Sequence, residues 1–277
     1  MSGQLILVAT PIGNLEDITL RALNVLKEVD LIACEDTRTS KNLLSRYQIQ
    51  KPLTSYHEHN EIEKAEELLS VLQEGKSIAL ITDAGTPGVS DPGYRIVKLA
   101  SENGVPVLSV PGASASIAAL SVSGLPTSSF TFLGFPPKQN KRLIEYLERI
   151  KDYPETLIFY ESPKRVIKTI TVMIEVLGDR NVSISREITK MYEETLRGLL
   201  SDVLANLNSR DSLKGEFVLV VEGNSQDKPD FDSETIDELL NYLKKEGHSL
   251  KDAVKQVATD SGVSKSKIYK KALQIWE

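Results

Sequence analysis

The chain has 277 residues, 40% of them hydrophobic, and a formal net charge of −6. That much apolar material fills a substantial core and excludes a disordered or collagen-like chain, while the acidic balance argues against a general nucleic-acid coat. No apolar run reaches the length of a membrane span, and the start "MSGQLILVATPIGN" has neither a basic n-region nor a small-residue cleavage site, so a cytosolic protein is expected.

From the amino end, "QLILVA", "DLIACE", "SIALIT" and "VPVLSV" read as short buried strands, and segments of helical period such as "ITLRALNVLKEV" and "EKAEELLSVLQEG" lie between them. This alternation predicts β-α units around a mainly parallel sheet. The lone Cys34 sits in one of the apolar runs and reads as a small buried hydrophobe. Asn60 with Glu63 resembles a capping box, and Gly75, Gly104 and Gly124 fall where left-handed residues end helices. A first domain, residues 1–126, carries the loops expected to do the chemistry.

A second set follows in residues 127–223: "FTFLGF", a charged helix around Lys141 to Lys151, "TLIFYES", a helix after Pro163, "NVSISREI", "ETLRG", "LSDVLANLN" and "GEFVLVVEG". Strands now outnumber helices, which predicts a mixed sheet. The polar stretch 224–232 reads as a linker. In the tail, 233–277, Leu250, Ala253, Val254, Val257 and Ala258 share one helical face, and a Gly turn with a Ser264 cap follows. This is helix-turn-helix spacing, shared with any helical hairpin that has a Gly turn. From Lys244 onward eight Lys face four acids, so the tail is basic while the remainder is acidic. Lys265 and Lys267 are its candidate nucleic-acid contacts.

Three apolar strands run into loops of small residues: "LILVA" into "TPIGNLED", "IALIT" into "DAGTPGVSDPG", and "VPVLSV" into "PGASAS". In a parallel sheet these loops line one edge, where open α/β folds bind ligands. Gly and Pro let main-chain groups approach a ligand closely and hold a fixed loop shape, which suits a flat, polar, adenosine-like molecule. There is no G-x-G-x-x-G after the first strand and no G-x-x-x-x-G-K-[ST] anywhere, so a hydride or ATP enzyme is disfavoured.

The segments "VATPIGNLEDIT", "CEDTR", "YHEHNE", "TDAGTPGVSDPG", "VPGASA", "FYESPKR", "REITKMYEE" and "KGEFVLVVEG" together resemble the tetrapyrrole-methylase superfamily, and within it the branch that methylates small-subunit ribosomal RNA. The likeness runs over residues 4–223, and the tail is similar to a small helix-turn-helix domain of that branch. Thr82 and Lys164 depart from the branch's usual Ser and His. The resemblance implies two α/β domains with S-adenosylmethionine in the cleft between them, a homodimer, and 2′-O-methylation of a cytidine ribose in the decoding region of small-subunit rRNA. Carried over by motif, the cofactor loops are Pro11 and Gly13; Asp83, Ala84, Gly85, Thr86 and Pro87; and Gly112, Ala113 and Ser114. Tyr160 and Phe217 join them from the second domain.

A ribose hydroxyl is a poor nucleophile near neutral pH, so a base or a stabilising cation is expected beside it. "CEDTR" offers Glu35, Asp36 and Arg38, and "YHEHNE" offers His57, Glu58, His59 and Asn60, with His57 and His59 on one side if strand periodicity holds. The catalytic candidates are Asp36, Arg38 and His57. An ion pair between Asp36 and Arg38, and a plain capping role for Asn60, remain open alternatives. Arg165, in the first turn of a helix, and Arg186 and Lys190, at a strand end, are candidates to track RNA phosphates. Beyond His57 and His59 no metal-ligand spacing is present, and no metal is expected. Methylation of a corrin-type substrate, or a non-catalytic nucleic-acid-binding module, are the competing readings; "TPIGNLED" departs from the G-x-G-P-G-D that the first would show, and the second has no use for three cofactor-shaped loops.

Overall fold

The computed structural model describes residues 3–224, 233–261 and 263–276. The chain as far as Gly223 forms one compact unit and Asn224–Glu277 a second. All but the first residue of the expected linker 224–232, and the Gly262 turn, lie outside the described residues.

In the first unit β1 (Leu5–Val8), β2 (Leu31–Cys34), β3 (Leu53–Ser55), β4 (Ile78–Ile81) and β5 (Val107–Val110) make a parallel sheet of order β3-β2-β4-β1-β5. Its strands are near-continuous apolar runs because both faces are covered. Successive side chains alternate: Leu5 enters a core under α3 (Glu61–Gln73) and α4 (Tyr94–Glu102), while Ile6 and Val8 enter another with α1 (Leu20–Glu28) and α2 (Thr37–Arg46). Each fully buried Leu or Ile in these layers contributes about 1.5–3 kcal/mol. Cys34 is fully buried, and burial pushes its thiol pKa up, consistent with a packing role.

β6 (Phe130–Gly134), β7 (Thr156–Glu161), β8 (Asn181–Arg186), β9 (Glu194–Leu199) and β10 (Phe217–Val221) form the mixed sheet, ordered β6-β7-β10-β8-β9, with only β6 and β7 parallel. α6 (Asn140–Ile150), α7 (Val166–Leu177) and α8 (Leu200–Asn208) bury a single apolar core against it. The helix α5 (Ala115–Ser123) lies inside the expected first domain, yet its Ala119 and Leu120 pack on Ile158, Val218 and Val220 of the second sheet. By its packing α5 goes with the second sheet, although it precedes residue 126 in the chain.

Helix ends follow the sequence in part. Gly75, Gly104 and Gly124 have φ of 91°, 68° and 78°. Asn60 precedes α3 but makes no cap; its side chain accepts from the His57 N–H at 2.9 Å and donates to the Ser55 carbonyl. β3 ends at Ser55, ahead of a turn at residues 58–60, so strand periodicity reaches neither His57 nor His59. α7 begins at Val166, not at Pro163; the Ser162 carbonyl accepts from Arg165 and Val166 in a preceding turn.

The second unit holds α9 (Ser233–Lys245), α10 (Leu250–Ser261) and α11 (Lys265–Trp276). Ala253, Val254 and Val257 of the expected face are buried with Ile236, Leu240 and Ile268, and Leu250 and Ala258 pack at the edge.

Candidate functional site

The loops after β1, β4 and β5 leave the same edge of the parallel sheet and bond to one another. Thr10 and Gly85 exchange backbone hydrogen bonds of 2.9 and 3.0 Å, and the Thr10 hydroxyl donates to the Thr82 carbonyl. The Thr86 hydroxyl reaches the Ala113 carbonyl at 3.3 Å. Gly85 has φ of 83°, a left-handed conformation that explains the glycine. At Gly112 an added Cβ would stand 3.0 Å from that of Ala9, so a small residue lets the third loop close on the first.

The second sheet covers these loops. The hydroxyl of Thr189, in the loop from β8 to β9, accepts from the Asn14 N–H at 3.0 Å, and a Cβ on Gly13 would fall 2.6 Å from Lys190 Cγ. The Ser116 N–H donates to the Tyr160 hydroxyl, and the rings of Phe132 and Phe135 meet Tyr160 edge-on at 5.0 and 5.5 Å. Between them lies a cleft of about 380 Å³, within the range of small-molecule sites. Ile12, Ala84, Gly85, Thr86, Val89, Ser90, Asp91, Ser114 and Ala115 line one wall. Phe135, Tyr160 to Pro163, Ile188, Glu216, Phe217 and Val218 line the other. A wider hollow of about 690 Å³ along α2 and β3 contains none of these residues.

The charges around the cleft are unevenly tuned. Burial, then the carboxylates of Glu35 and Asp83, push the Asp91 pKa up to about 7, against a hydrogen bond from Thr82 that lowers it. Burial also raises that of Asp83, whose carboxylate accepts from the Asp36 N–H at 3.2 Å. Asp36 goes the other way. Hydrogen bonds from the Arg38 side chain and N–H hold its carboxyl at about 2. Among the described residues no group of three His, Cys, Asp or Glu side chains is arranged to hold a metal ion, and no helix is long and apolar enough to cross a membrane.

The sheet orders and the loop-lined cleft can be set beside known proteins. The model of the tetrapyrrole (corrin/porphyrin) methylases matches residues 4–204, and that of the RsmI C-terminal HTH domain matches residues 230–275. A ribosomal RNA small subunit methyltransferase I from Halalkalibacterium halodurans is 49% identical over 271 residues, covering 96% of this chain and 93% of that protein. This chain belongs to the ribosomal RNA small subunit methyltransferase I family of the tetrapyrrole methylases. A member from Thermotoga maritima is 46% identical over 222 residues that make up 99% of it and 80% of this chain, so a fifth of this chain has no counterpart there. Among solved structures, a uroporphyrin-III C-methyltransferase from Thermus thermophilus complexed with S-adenyl homocysteine shares the fold at TM-score 0.55 and 20% identity, covering 80% of this chain and 98% of that one.

In this family member the structure sorts the residues singled out from sequence. Ala84, Gly85, Thr86, Ser114, Tyr160 and Phe217 line the cleft. Pro11, Gly13, Asp83, Pro87, Gly112 and Ala113 belong to the same loops without lining it, and Gly13 and Gly112 serve close approach. Of the catalytic candidates none lines it. Asp36 caps α2 and pairs with Arg38 at 2.8 Å, the ion-pair alternative left open by the sequence. His57 follows β3, with its ring 6.0 Å from that of His59 and a buried Nδ1 that has no hydrogen-bond partner among the described residues.

The expected RNA contacts in the first unit also turn inward. Arg165 donates to the buried Glu161 carboxylate at 2.8 Å and to the Pro136 carbonyl at 2.7 Å. Arg186 pairs with Glu194 at 3.0 Å, and Lys190 with Glu187 and Glu216 at 2.9 and 3.1 Å. All three cations are thus paired with carboxylates of the second sheet. Lys265 and Lys267 are exposed at the start of α11. Among the lining residues not singled out from sequence, Ser90 and Asp91 stand in the loop after β4, and Ile188 and Glu216 stand in the segments "REITKMYEE" and "KGEFVLVVEG" but reach the cleft only through the fold of the second sheet.

Proposed function

We propose that this chain uses S-adenosylmethionine to methylate the 2′-hydroxyl of a cytidine ribose in the decoding region of small-subunit rRNA. Family membership supports the donor and the ribosomal substrate. The observation that carries the cofactor assignment is the composition of the cleft: it is lined by acids, small loop residues and apolar side chains, with no Lys or Arg. Such a wall suits a sulfonium cation attached to a flat nucleoside and disfavours a nucleoside triphosphate. The backbone of Ala84 to Thr86 and of Ser114 and Ala115 holds the polar edges; Ile12, Ile188, Phe217 and Val218 hold the apolar faces. When bound, this cofactor supplies an activated methyl group.

The protein's own part is positioning and proton transfer. The bonded loops form a preorganised wall, which lowers the entropic cost of aligning a ribose oxygen with the methyl group. Asp91 takes the hydroxyl proton onto its carboxylate, a role for which a pKa of about 7 is suited. Asp36, held at about 2 and committed to Arg38, is a poor proton acceptor, and Asp91 replaces it in that role. A homodimer fits exposed apolar side chains at two places, Leu108 of the edge strand β5, 49% exposed, and Ile117 and Val122 of α5, both 50% exposed. A cytosolic setting follows from a ribosomal substrate.

The test is transfer of labelled methyl from S-adenosylmethionine by the purified chain to small ribosomal subunits and to protein-free small-subunit rRNA. Label in the rRNA of either substrate is expected. A chain that binds the cofactor and labels neither would contradict the ribosomal reading.

A further inference from the structure

Four cations on the lip of the second sheet have no ion-pair partner among the described residues: Lys138, Lys141, Arg142 and Lys164, all exposed. β6 and β7 run parallel, so the loops that follow them leave one edge together. The first carries Lys138 and opens α6 with Lys141 and Arg142; the second carries Lys164. Arg165 ties the two loops together through its bonds to Pro136 and Glu161, and Glu161 accepts further bonds from the Ser162 N–H and the Thr169 hydroxyl at 2.7 and 2.6 Å. The lip is thus held in place before anything binds.

Phe135 stands in the same loop. It is 59% exposed, lines the cleft and meets the Tyr160 ring at an interplanar angle of 63°. In a chain of net charge −6, Lys138, Lys141, Arg142 and Lys164 concentrate unpaired positive charge here, with Glu145 in the next turn of α6, whereas Arg165, Arg186 and Lys190 are paired with carboxylates.

We infer that this lip is the landing surface for the single-stranded RNA flanking the target nucleotide, with Lys138, Lys141, Arg142 and Lys164 meeting phosphates and Phe135 stacking on a base. The inference rests on the rRNA reading above. Phosphate contacts fix register while an exposed aromatic face accepts an unstacked base of any identity, which is the division of labour of single-strand binders.

The test uses the full chain and a fluorescently labelled fragment of small-subunit rRNA, titrated across NaCl concentrations. One variant carries Lys138→Gln, Lys141→Gln and Arg142→Gln; a charge-matched control carries Lys27→Gln, Arg46→Gln and Lys51→Gln, on α1, on α2 and just ahead of β3. For the lip variant the slope of log affinity against log salt falls by about 2, at about 0.7 for each phosphate left unneutralised, and affinity drops at least tenfold at moderate salt. Its cofactor affinity, read by calorimetry, stays at the wild-type value, and KM for rRNA rises with kcat held at saturation. The control keeps the wild-type slope. Equal slopes for wild type and lip variant, with wild type binding well, would overturn the inference and leave the rRNA reading standing. Wild type that binds cofactor and neither this fragment nor small ribosomal subunits would remove both.

Discussion

The backbone N–H of Asn14 donates to the side-chain oxygen of Thr189 at 3.0 Å, joining the first loop of the chain to a hairpin 175 residues later. Through this contact the second sheet closes on the loop after β1, and Gly13 is what allows it. A methyl group there would fall 2.6 Å from Lys190 Cγ and 2.7 Å from the Thr189 hydroxyl, with the Ile188 carbonyl at 3.1 Å. Gly13→Ala is expected to displace the hairpin that carries Ile188 and to weaken S-adenosylmethionine by about tenfold, the scale of a small overpacking penalty. Calorimetry checks it; wild-type affinity would show that the closure is dispensable.

Asp91 should set the pH dependence of turnover. With its pKa raised to about 7, kcat rises with pH to a plateau near 8, and Asp91→Asn loses at least about a hundredfold at the plateau and the titration with it. The same shift has a stability consequence. A carboxyl whose folded pKa lies above its unfolded value binds more protons when folded, so it costs stability as pH rises from about 4 to 7. Asp91→Asn therefore stabilises the fold at pH 8 by about 1–2 kcal/mol, after discounting for solvent at this half-buried site, and has no such effect at pH 4. Urea melts at the two pH values decide this.

Asp36 is expected to behave as a structural group. Asp36→Asn keeps an N-cap acceptor and should retain turnover within a few-fold, while Asp36→Ala lowers the melting temperature by removing the cap of α2. A loss of turnover in Asp36→Asn on the scale expected for Asp91→Asn would return the proton acceptor to the "CEDTR" turn.

Arg165→Ala strips the buried Glu161 of its cation. The carboxylate keeps only the Ser162 N–H and Thr169 hydroxyl, so the first unit should lose about 3 kcal/mol, the scale of a broken buried pair. Equilibrium unfolding measures this. A change within about 0.5 kcal/mol, as for an exposed pair, would contradict the buried clamp.

Truncation after Gly223 should leave a folded unit with unchanged cofactor affinity and weaker RNA binding. Each unit is compact by itself, and the Thermotoga maritima relative leaves about as much of this chain unmatched as lies beyond Gly223. Cofactor affinity lost with the tail, in circular-dichroism-verified folded protein, would oppose that division.

Much of the architecture was legible because it is written locally. Strands such as Ile78–Ile81 are short apolar runs punctuated by Gly and Pro, and the loops after β1, β4 and β5 announce themselves by the same residues. What was hidden depends on partners far along the chain. The basicity of Asp91 comes from burial and from Glu35 and Asp83, none of which a local pattern encodes. Arg165 reads as a free cation beside a helix start until the burial of Glu161 is known. Asn60 has the spacing of a cap, and its amide turned instead to His57 and Ser55 because the strand end offered closer partners. α5 follows the first sheet in sequence, yet its apolar face found its match in β7 and β10.

The proposed product is a ribose methylated at its 2′ oxygen. Small-subunit rRNA from cells lacking this chain, digested to nucleosides and fragments and compared by mass spectrometry with rRNA from parental cells, tests it directly. The expected result is the loss of a single 2′-O-methylcytidine from a decoding-region fragment, restored by the wild-type chain and not by Asp91→Asn. An unchanged set of ribose methyls, or the loss of a methyl carried on a base, would contradict it.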